Sequence, residues 1–184
     1  MAELSGKKIL VLVTNQGVEQ DELKVPLEKL RADGAEVTVA APETGEVKSL
    51  VGDWDRGETF PVDQTISSVN ESEYDLLLLP GGTLNADALR LDQDAQETAK
   101  AFASSGRPVA ALCHGPWLLV ETGLVDGKTL TSYPSVKTDI VNAGGNWVDQ
   151  EVKVCPANEW TLITSRDPGD LEAFVGAIKE QLSI

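Results

Sequence analysis

Pro108-Val109-Ala110-Ala111-Leu112-Cys113-His114-Gly115-Pro116-Trp117-Leu118-Leu119 decides how this chain folds. A short apolar run gives way at a cysteine to Gly-Pro and then to a second apolar group, which reads as a buried strand turning sharply into a helix. Two other runs have the character of strands covered on both faces, apolar almost throughout rather than alternating: Lys8-Ile9-Leu10-Val11-Leu12-Val13 and Asp75-Leu76-Leu77-Leu78-Leu79. Glu36 to Ala41 adds another strand. Between the strands, Glu19 to Ala32 shows helical spacing through Leu23, Leu27 and Leu30, with Pro26 predicted to kink the helix or split off its first turn. Asp92 to Ser104 reads as a helix that stops at Gly106, and residues 42–65 as a hairpin with loops.

The second half repeats the alternation more loosely. Lys128 to Tyr133 and Trp147-Val148 read as strands around a helix from Ser135 to Ala143. Val152 to Val154 and Trp160 to Thr164 read as a late antiparallel pair, and Pro168 to Leu182 as a closing amphipathic helix. Strands alternating with helices imply an α/β sandwich with a mostly parallel central sheet, here expected as one domain over residues 1–184.

Composition narrows the function. A net charge of −15 argues against nucleic-acid binding through phosphate neutralisation. No apolar stretch is long enough for a membrane span. The N-terminal residues run into the first strand without an apolar leader, and two distant cysteines suggest a reducing compartment, so a cytoplasmic protein is expected. One histidine and two separated cysteines give no zinc-type spacing, and no phosphate-binding glycine motif occurs, so neither metal nor cofactor is expected.

Chemistry is expected at the carboxyl edge of the parallel sheet, where open α/β folds bind ligands. Three segments follow strands onto that edge: Asn15 to Glu19, Pro80-Gly81-Gly82 and Cys113-His114-Gly115. A thiol at a strand-to-helix corner resembles a nucleophile elbow, with Gly115 as the small neighbour the turn needs and the helix start lowering the thiol pKa. His114, the chain's single histidine, is then general base and later general acid. Gly81 and Gly82 would let backbone N–H groups approach a substrate oxygen and, with the His114 N–H, form an oxyanion hole. Glu19 has two readings, a carboxylic acid beside the thiol or a helix-start acid favoured by the dipole. Cys155 lacks such surroundings and reads as structural. Trp54, in a loop-rich stretch, packs or lines a pocket.

Ala110-Ala111-Leu112-Cys113-His114-Gly115-Pro116, Leu79-Pro80-Gly81-Gly82, Thr131-Ser132-Tyr133-Pro134 and Asn142 to Asp149 together resemble the PfpI-like branch of the class I glutamine-amidotransferase-like superfamily, along nearly the whole chain. That branch holds intracellular cysteine peptidases, stress proteins and glyoxalase or deglycase relatives. The resemblance implies a flavodoxin-like three-layer sandwich, Cys113 as nucleophile, His114 as base, and Glu19 as the glutamate touching the thiol. It also implies that the acid orienting His114 arrives from a neighbouring subunit in a homodimer or larger assembly. Asp87 stands where the founding peptidases have a glutamate, with one extra residue in the loop. The activity implied is a stress-response enzyme acting on small reactive carbonyls or glycated adducts. The alternatives are an intracellular cysteine peptidase and a redox-sensing chaperone with an oxidisable cysteine.

Overall fold

The computed structural model describes residues 3–184. Its strands and helices follow in the order β1 (Lys8–Leu12), β2 (Gln16–Glu19), α1 (Gln20–Ala32), β3 (Glu36–Ala41), β4 (Glu46–Val51), β5 (Asp55–Pro61), β6 (Gln64–Thr65), β7 (Leu76–Leu79), α2 (Thr83–Leu89), α3 (Gln93–Ser104), β8 (Val109–Leu112), α4 (Trp117–Glu121), β9 (Thr129–Leu130), α5 (Lys137–Asn142), β10 (Asn146–Trp147), β11 (Val152–Cys155), β12 (Leu162–Ser165) and α6 (Leu171–Leu182). The central sheet has the order β11-β12-β8-β7-β1-β3-β6, parallel except for β11, which pairs antiparallel with β12.

The apolar runs lack alternation because both of their faces are covered. Val11, Leu76, Leu78, Ala110 and Leu112 pack against Leu23, Leu27 and Leu30 of α1 and Phe174 and Ile178 of α6. Their neighbours Leu10, Leu77, Leu79, Val109 and Ala111 face the other way, onto Ala99 and Phe102 of α3, Leu118 and Leu119 of α4 and Ile140 of α5. Each fully buried Leu or Phe contributes about 1.5–3 kcal/mol, so these two layers dominate the stability of the sandwich.

Chain order along the sheet sets the place of the site. From β1 the chain moves outward to β3, then returns to the opposite side of β1 for β7 and β8. The switch point therefore lies between β1 and β7, and the segments leaving β1, β7 and β8 at their carboxyl ends meet beside it.

Several elements differ from the sequence expectations. Pro26 does not split α1, which runs unbroken over Gln20–Ala32, because Leu23, Pro26, Leu27 and Leu30 bury one continuous stripe that offsets the missing hydrogen bond. Gln16–Glu19, expected as a loop, becomes a strand by pairing with β4 in a small sheet of order β2-β4-β5. Thr83–Leu89 is helical rather than loop. Lys128 to Tyr133 contributes only a two-residue ladder, Thr129–Leu130, joined to Asn146–Trp147 in a separate two-stranded sheet. No helix among the described residues is long and apolar enough to cross a membrane.

Candidate active site

Cys113 follows β8 with a backbone φ of 61°, a left-handed conformation that costs a non-glycine residue about 1–2 kcal/mol. Several hydrogen bonds hold it there. The Cys113 N–H donates to the Ser165 carbonyl (3.1 Å), the Tyr133 N–H donates to the Cys113 carbonyl (2.9 Å), and the Gly115 N–H closes the turn on the Leu112 carbonyl (2.8 Å). A side chain at Gly115 would place its Cβ 2.3 Å from the Leu79 carbonyl oxygen, so the corner requires glycine. Gly115 thus shapes the elbow, and its N–H is unavailable to a substrate. Helix α4 begins only at Trp117 and is five residues long. The sulfur is served by individual N–H groups, those of His114 and Gly82, rather than by a helix dipole.

The acid against the thiol is Glu22, not Glu19. Glu22 is fully buried in the first turn of α1, and its Oε1 accepts the Gly81 N–H at 2.8 Å. Oε2 has no aligned partner. Gly81 is confined by the same contact, since a Cβ there would lie 2.5 Å from Glu22 Oε1 and 2.8 Å from Cys113 Cβ. With its N–H committed to Glu22, Gly81 is not an oxyanion donor. Gly82 retains that capacity, at a φ of 87° and so close to the Gly17 carbonyl that a Cβ would approach within 2.3 Å.

Burial pushes the Glu22 carboxyl well above the usual carboxylate range, against the hydrogen bonds from Gly81 and Cys113 that favour its ionised form. Burial also pushes the Cys113 thiol up. The Glu22 charge and hydrogen bond add to this, and the backbone N–H groups of His114 and Gly82 oppose it. Two adjacent buried acids cannot both ionise, so the pair keeps at least one proton even after His114 has taken one from the thiol. With that proton on Glu22 the repulsion vanishes and a neutral acid faces the sulfur, so an anionic site is most stable as thiolate beside carboxylic acid.

Glu19 has another task. At the end of β2 its side chain reaches the β4–β5 turn, where the carboxylate accepts the N–H groups of Gly52 (2.9 Å) and Asp53 (3.3 Å). The turn is drawn over the site, and Asp53 adopts a φ of 65°. The Asp53 carboxylate takes the Thr83 N–H on Oδ1 (2.9 Å) and the Thr83 hydroxyl on Oδ2 (2.7 Å). Glu22 carried one sequence signal: it lies on the stripe of Pro26 and Leu30 at four-residue spacing, an acid at a core-facing position.

His114 is buried, with Nδ1 3.2 Å from Cys113 Sγ. Its Nε2 lies 3.4 Å from Thr83 Oγ1 and 3.3 Å from Ser135 Oγ. Tyr133 stacks on the imidazole (centroids 4.7 Å apart) and Trp117 meets it edge-on. Burial lowers the imidazole pKa, and the Asp53 charge partly restores it. Asp87 lies exposed on α2 and has no hydrogen bond to His114 within the chain. Asn85, one turn into the same helix, is fully buried and ties Thr14 (N–H, 2.7 Å) to the carbonyl of Gly81 (3.0 Å), locking the β1 and β7 exits together.

These side chains enclose a cavity of about 200 Å³ lined by Glu19, Glu22, Asp53, Cys113, His114 and Tyr133 among others. A larger groove of about 350 Å³ runs along the small sheet between Gln16, Lys48 and Arg56 and is lined by neither cysteine nor histidine. No cluster of three or more potential metal-ligating side chains occurs among the described residues.

Residues 7–181 match the DJ-1/PfpI family. YraA of Bacillus subtilis (strain 168), a protein named as a candidate cysteine protease, is 43% identical over 168 residues, covering 91% of this chain and 94% of that protein. A deglycase of Pyrococcus abyssi (strain GE5 / Orsay) is 40% identical over 168 residues, covering 91% and 95%. Among solved structures, Drosophila melanogaster DJ-1beta superposes with a TM-score of 0.83 at 32% identity, covering 96% of this chain and 90% of that one. The likeness runs along almost the entire length of this chain and of these relatives, and the chain belongs to the DJ-1/PfpI family.

Proposed function

We propose that this protein is a cysteine-dependent enzyme acting on small reactive carbonyls, such as methylglyoxal, or on the adducts they form with amines and thiols. The observation that carries the reading is Cys113 Sγ at 3.2 Å from His114 Nδ1, with the buried acid Glu22 against the thiol, in a cavity open to small molecules. The Cys113 sulfur adds to the substrate carbonyl carbon, and the carbonyl π electrons move to oxygen. The N–H groups of Gly82 and His114, which face the sulfur in the free protein, are placed to stabilise that oxyanion. A preorganised donor of this kind contributes about 3 kcal/mol. The imidazole then returns the thiol's proton to the oxygen.

The cavity, at about 200 Å³, lies below the roughly 300–1,000 Å³ of drug-sized sites, which favours small carbonyls over the extended peptides of the peptidase reading. A redox-sensing reading draws on the same thiol: a carboxylic acid at Glu22 would hydrogen-bond a sulfinate, seen as a gain of about 32 Da at Cys113 after low-dose peroxide.

A panel of dicarbonyls, glycated peptides and unmodified peptides, assayed beside Cys113→Ala, tests the proposal. Dicarbonyl or adduct turnover lost in that variant by about 10³-fold or more is the expected result. Undiminished turnover in Cys113→Ala, or cleavage of unmodified peptides alone, overturns it.

A further inference from the structure

With His114 as base toward Cys113, the hydrogens of the contacts that lead through Thr83 to Asp53 have a set direction. Nδ1 faces the Cys113 sulfur and must be free to accept the thiol proton, so the neutral imidazole carries its proton on Nε2. Nε2 has two hydroxyls in reach, Thr83 at 3.4 Å and Ser135 at 3.3 Å. The Thr83 hydroxyl already donates its hydrogen to Asp53 Oδ2 at 2.7 Å, because an ionised carboxylate can only accept. Its oxygen therefore presents a lone pair to Nε2–H. Ser135 is exposed, and its hydroxyl has only His114 as a side-chain partner, so it can turn either way and fixes nothing.

Resting on the reading of Cys113 and His114 as nucleophile and base, we propose that Asp53, acting through the Thr83 hydroxyl, is the carboxylate that fixes the His114 tautomer and balances the imidazolium charge, within a single chain. This assigns to the β4–β5 turn the role that the family resemblance gives to an acid from a neighbouring subunit. Asp53 is itself built into place. Its left-handed backbone, the two N–H groups capped by Glu19 and the Thr83 N–H on Oδ1 leave Oδ2 aimed at one hydroxyl. When Cys113 loses its proton to Nδ1, the imidazolium donates from Nε2 to Thr83 Oγ1, and the Thr83 hydrogen stays with Asp53. No net proton leaves the relay. The 3.4 Å contact is long for the resting state, as catalytic hydrogen bonds often are before substrate binds. Asp53 and Thr83 are positioning residues: they act on the substrate only through His114.

The test uses the full chain and two readouts. One is the pH profile of methylglyoxal turnover, and the other is the pH dependence of Cys113 alkylation by iodoacetamide, which needs no turnover. Asp53→Asn preserves shape and tolerates the left-handed backbone, but it removes the charge. Thr83→Val removes the hydroxyl, and Thr83→Ser keeps it. For Asp53→Asn and Thr83→Val, kcat is expected to fall by about 10- to 100-fold with KM within about twofold. Thr83→Ser stays within about twofold of the parent. In Asp53→Asn the inflection due to His114 moves to lower pH, because the charge opposing the effect of burial is gone. The other groups around the imidazole are unchanged by that substitution: Cys113, Glu19, Glu22 and Tyr133 in the cavity, and Asp139 and Arg90 behind Trp117. Wild-type kcat and an unmoved inflection in both Asp53→Asn and Thr83→Val overturn the relay, as does a loss confined to Asp87→Asn. Failure of the nucleophile reading is seen separately, as turnover that survives Cys113→Ala. Should the parent turn over no methylglyoxal, the alkylation profiles decide, an inflection unmoved in Asp53→Asn and Thr83→Val counting against the relay.

Discussion

The two cysteines of this chain are equally hidden, Cys113 at 6% and Cys155 at 5% exposure, and each sulfur faces backbone N–H groups. Their surroundings differ in every other respect. Cys155 ends β11 in extended conformation. The Thr129 N–H meets its sulfur at 3.3 Å, and the fully buried Lys128 ammonium grips its carbonyl (3.3 Å) together with those of Ala157 and Trp160. Its contacts fasten the β9 segment to the sheet. Cys113 is held in a left-handed turn with a base on one side, a buried acid on the other and a cavity above. Solvent exposure therefore does not tell the two thiols apart. Strain, proton partners and open space beside the sulfur do.

The largest effect should come from probing both sulfurs in one protein. Iodoacetamide at neutral pH is expected to label Cys113 at least about 100-fold faster than Cys155, with Cys155→Ala leaving the labelling of Cys113 and turnover unchanged. Equal labelling rates, read by peptide mass mapping, would falsify the contrast between the two environments.

What could be read before the fold was known follows from this contrast. The strands β1, β7 and β8 were legible because burial on both faces leaves uninterrupted apolar runs. The proposed nucleophile and base were legible because the only histidine adjoins a cysteine at such a run's end. The rest of the site lay in tertiary contacts. Glu22 is one of 30 acidic residues, and only its place on the buried stripe of α1 marks it out. Glu19, three residues earlier, was the more conspicuous choice because it directly follows the loop from β1. Asp53 meets Thr83 across 30 positions of sequence, through a turn whose position depends on β2 pairing with β4. Helix α2 was invisible because Thr83–Leu89 is short and has no apolar stripe of its own.

A smaller effect should sharpen the acid side of the comparison. In the parent, the Glu22 carboxyl and the Cys113 thiol share one buried site, so their titrations are coupled. Cys113→Ala uncouples them. The folded pKa of Glu22, raised by burial, then lies above its unfolded value. The folded chain keeps a proton that the unfolded chain releases. The stability contribution is full below the ordinary carboxylate range and is lost as pH rises toward the folded pKa. His114 acts oppositely: its lowered folded pKa removes stability as pH falls below about 6.5. Above the ordinary carboxylate range, then, and until pH passes the folded pKa, Cys113→Ala should lose up to about 1.4 kcal/mol per pH unit in urea unfolding through Glu22. Cys113→Ala/Glu22→Gln should lack that component. The same slope in both proteins would mean that Glu22 is ionised in the fold.

The smallest effect tests strain alone and predicts opposite signs at the two cysteines. Glycine adopts a φ near +60° freely, whereas alanine pays the left-handed penalty. At Cys113, with a φ of 61°, the glycine variant should therefore be more stable than the alanine variant by about 1 kcal/mol, although both lack the thiol. At Cys155, in a regular antiparallel pairing with Leu162, glycine has no strain to relieve and forfeits more chain entropy, so it should be less stable than alanine by about 0.5–1 kcal/mol. Thermal or urea unfolding of the four variants reads both differences. Because each comparison is between two side chains that cannot react, lost chemistry does not enter, and the sign at Cys113 reports only the conformation in which the elbow holds its backbone. A glycine variant less stable than alanine at both positions would show that the corner relaxes once the sulfur is gone, and that the thiol's own contacts, rather than the hydrogen bonds to Ser165, Tyr133 and Leu112, keep the turn left-handed.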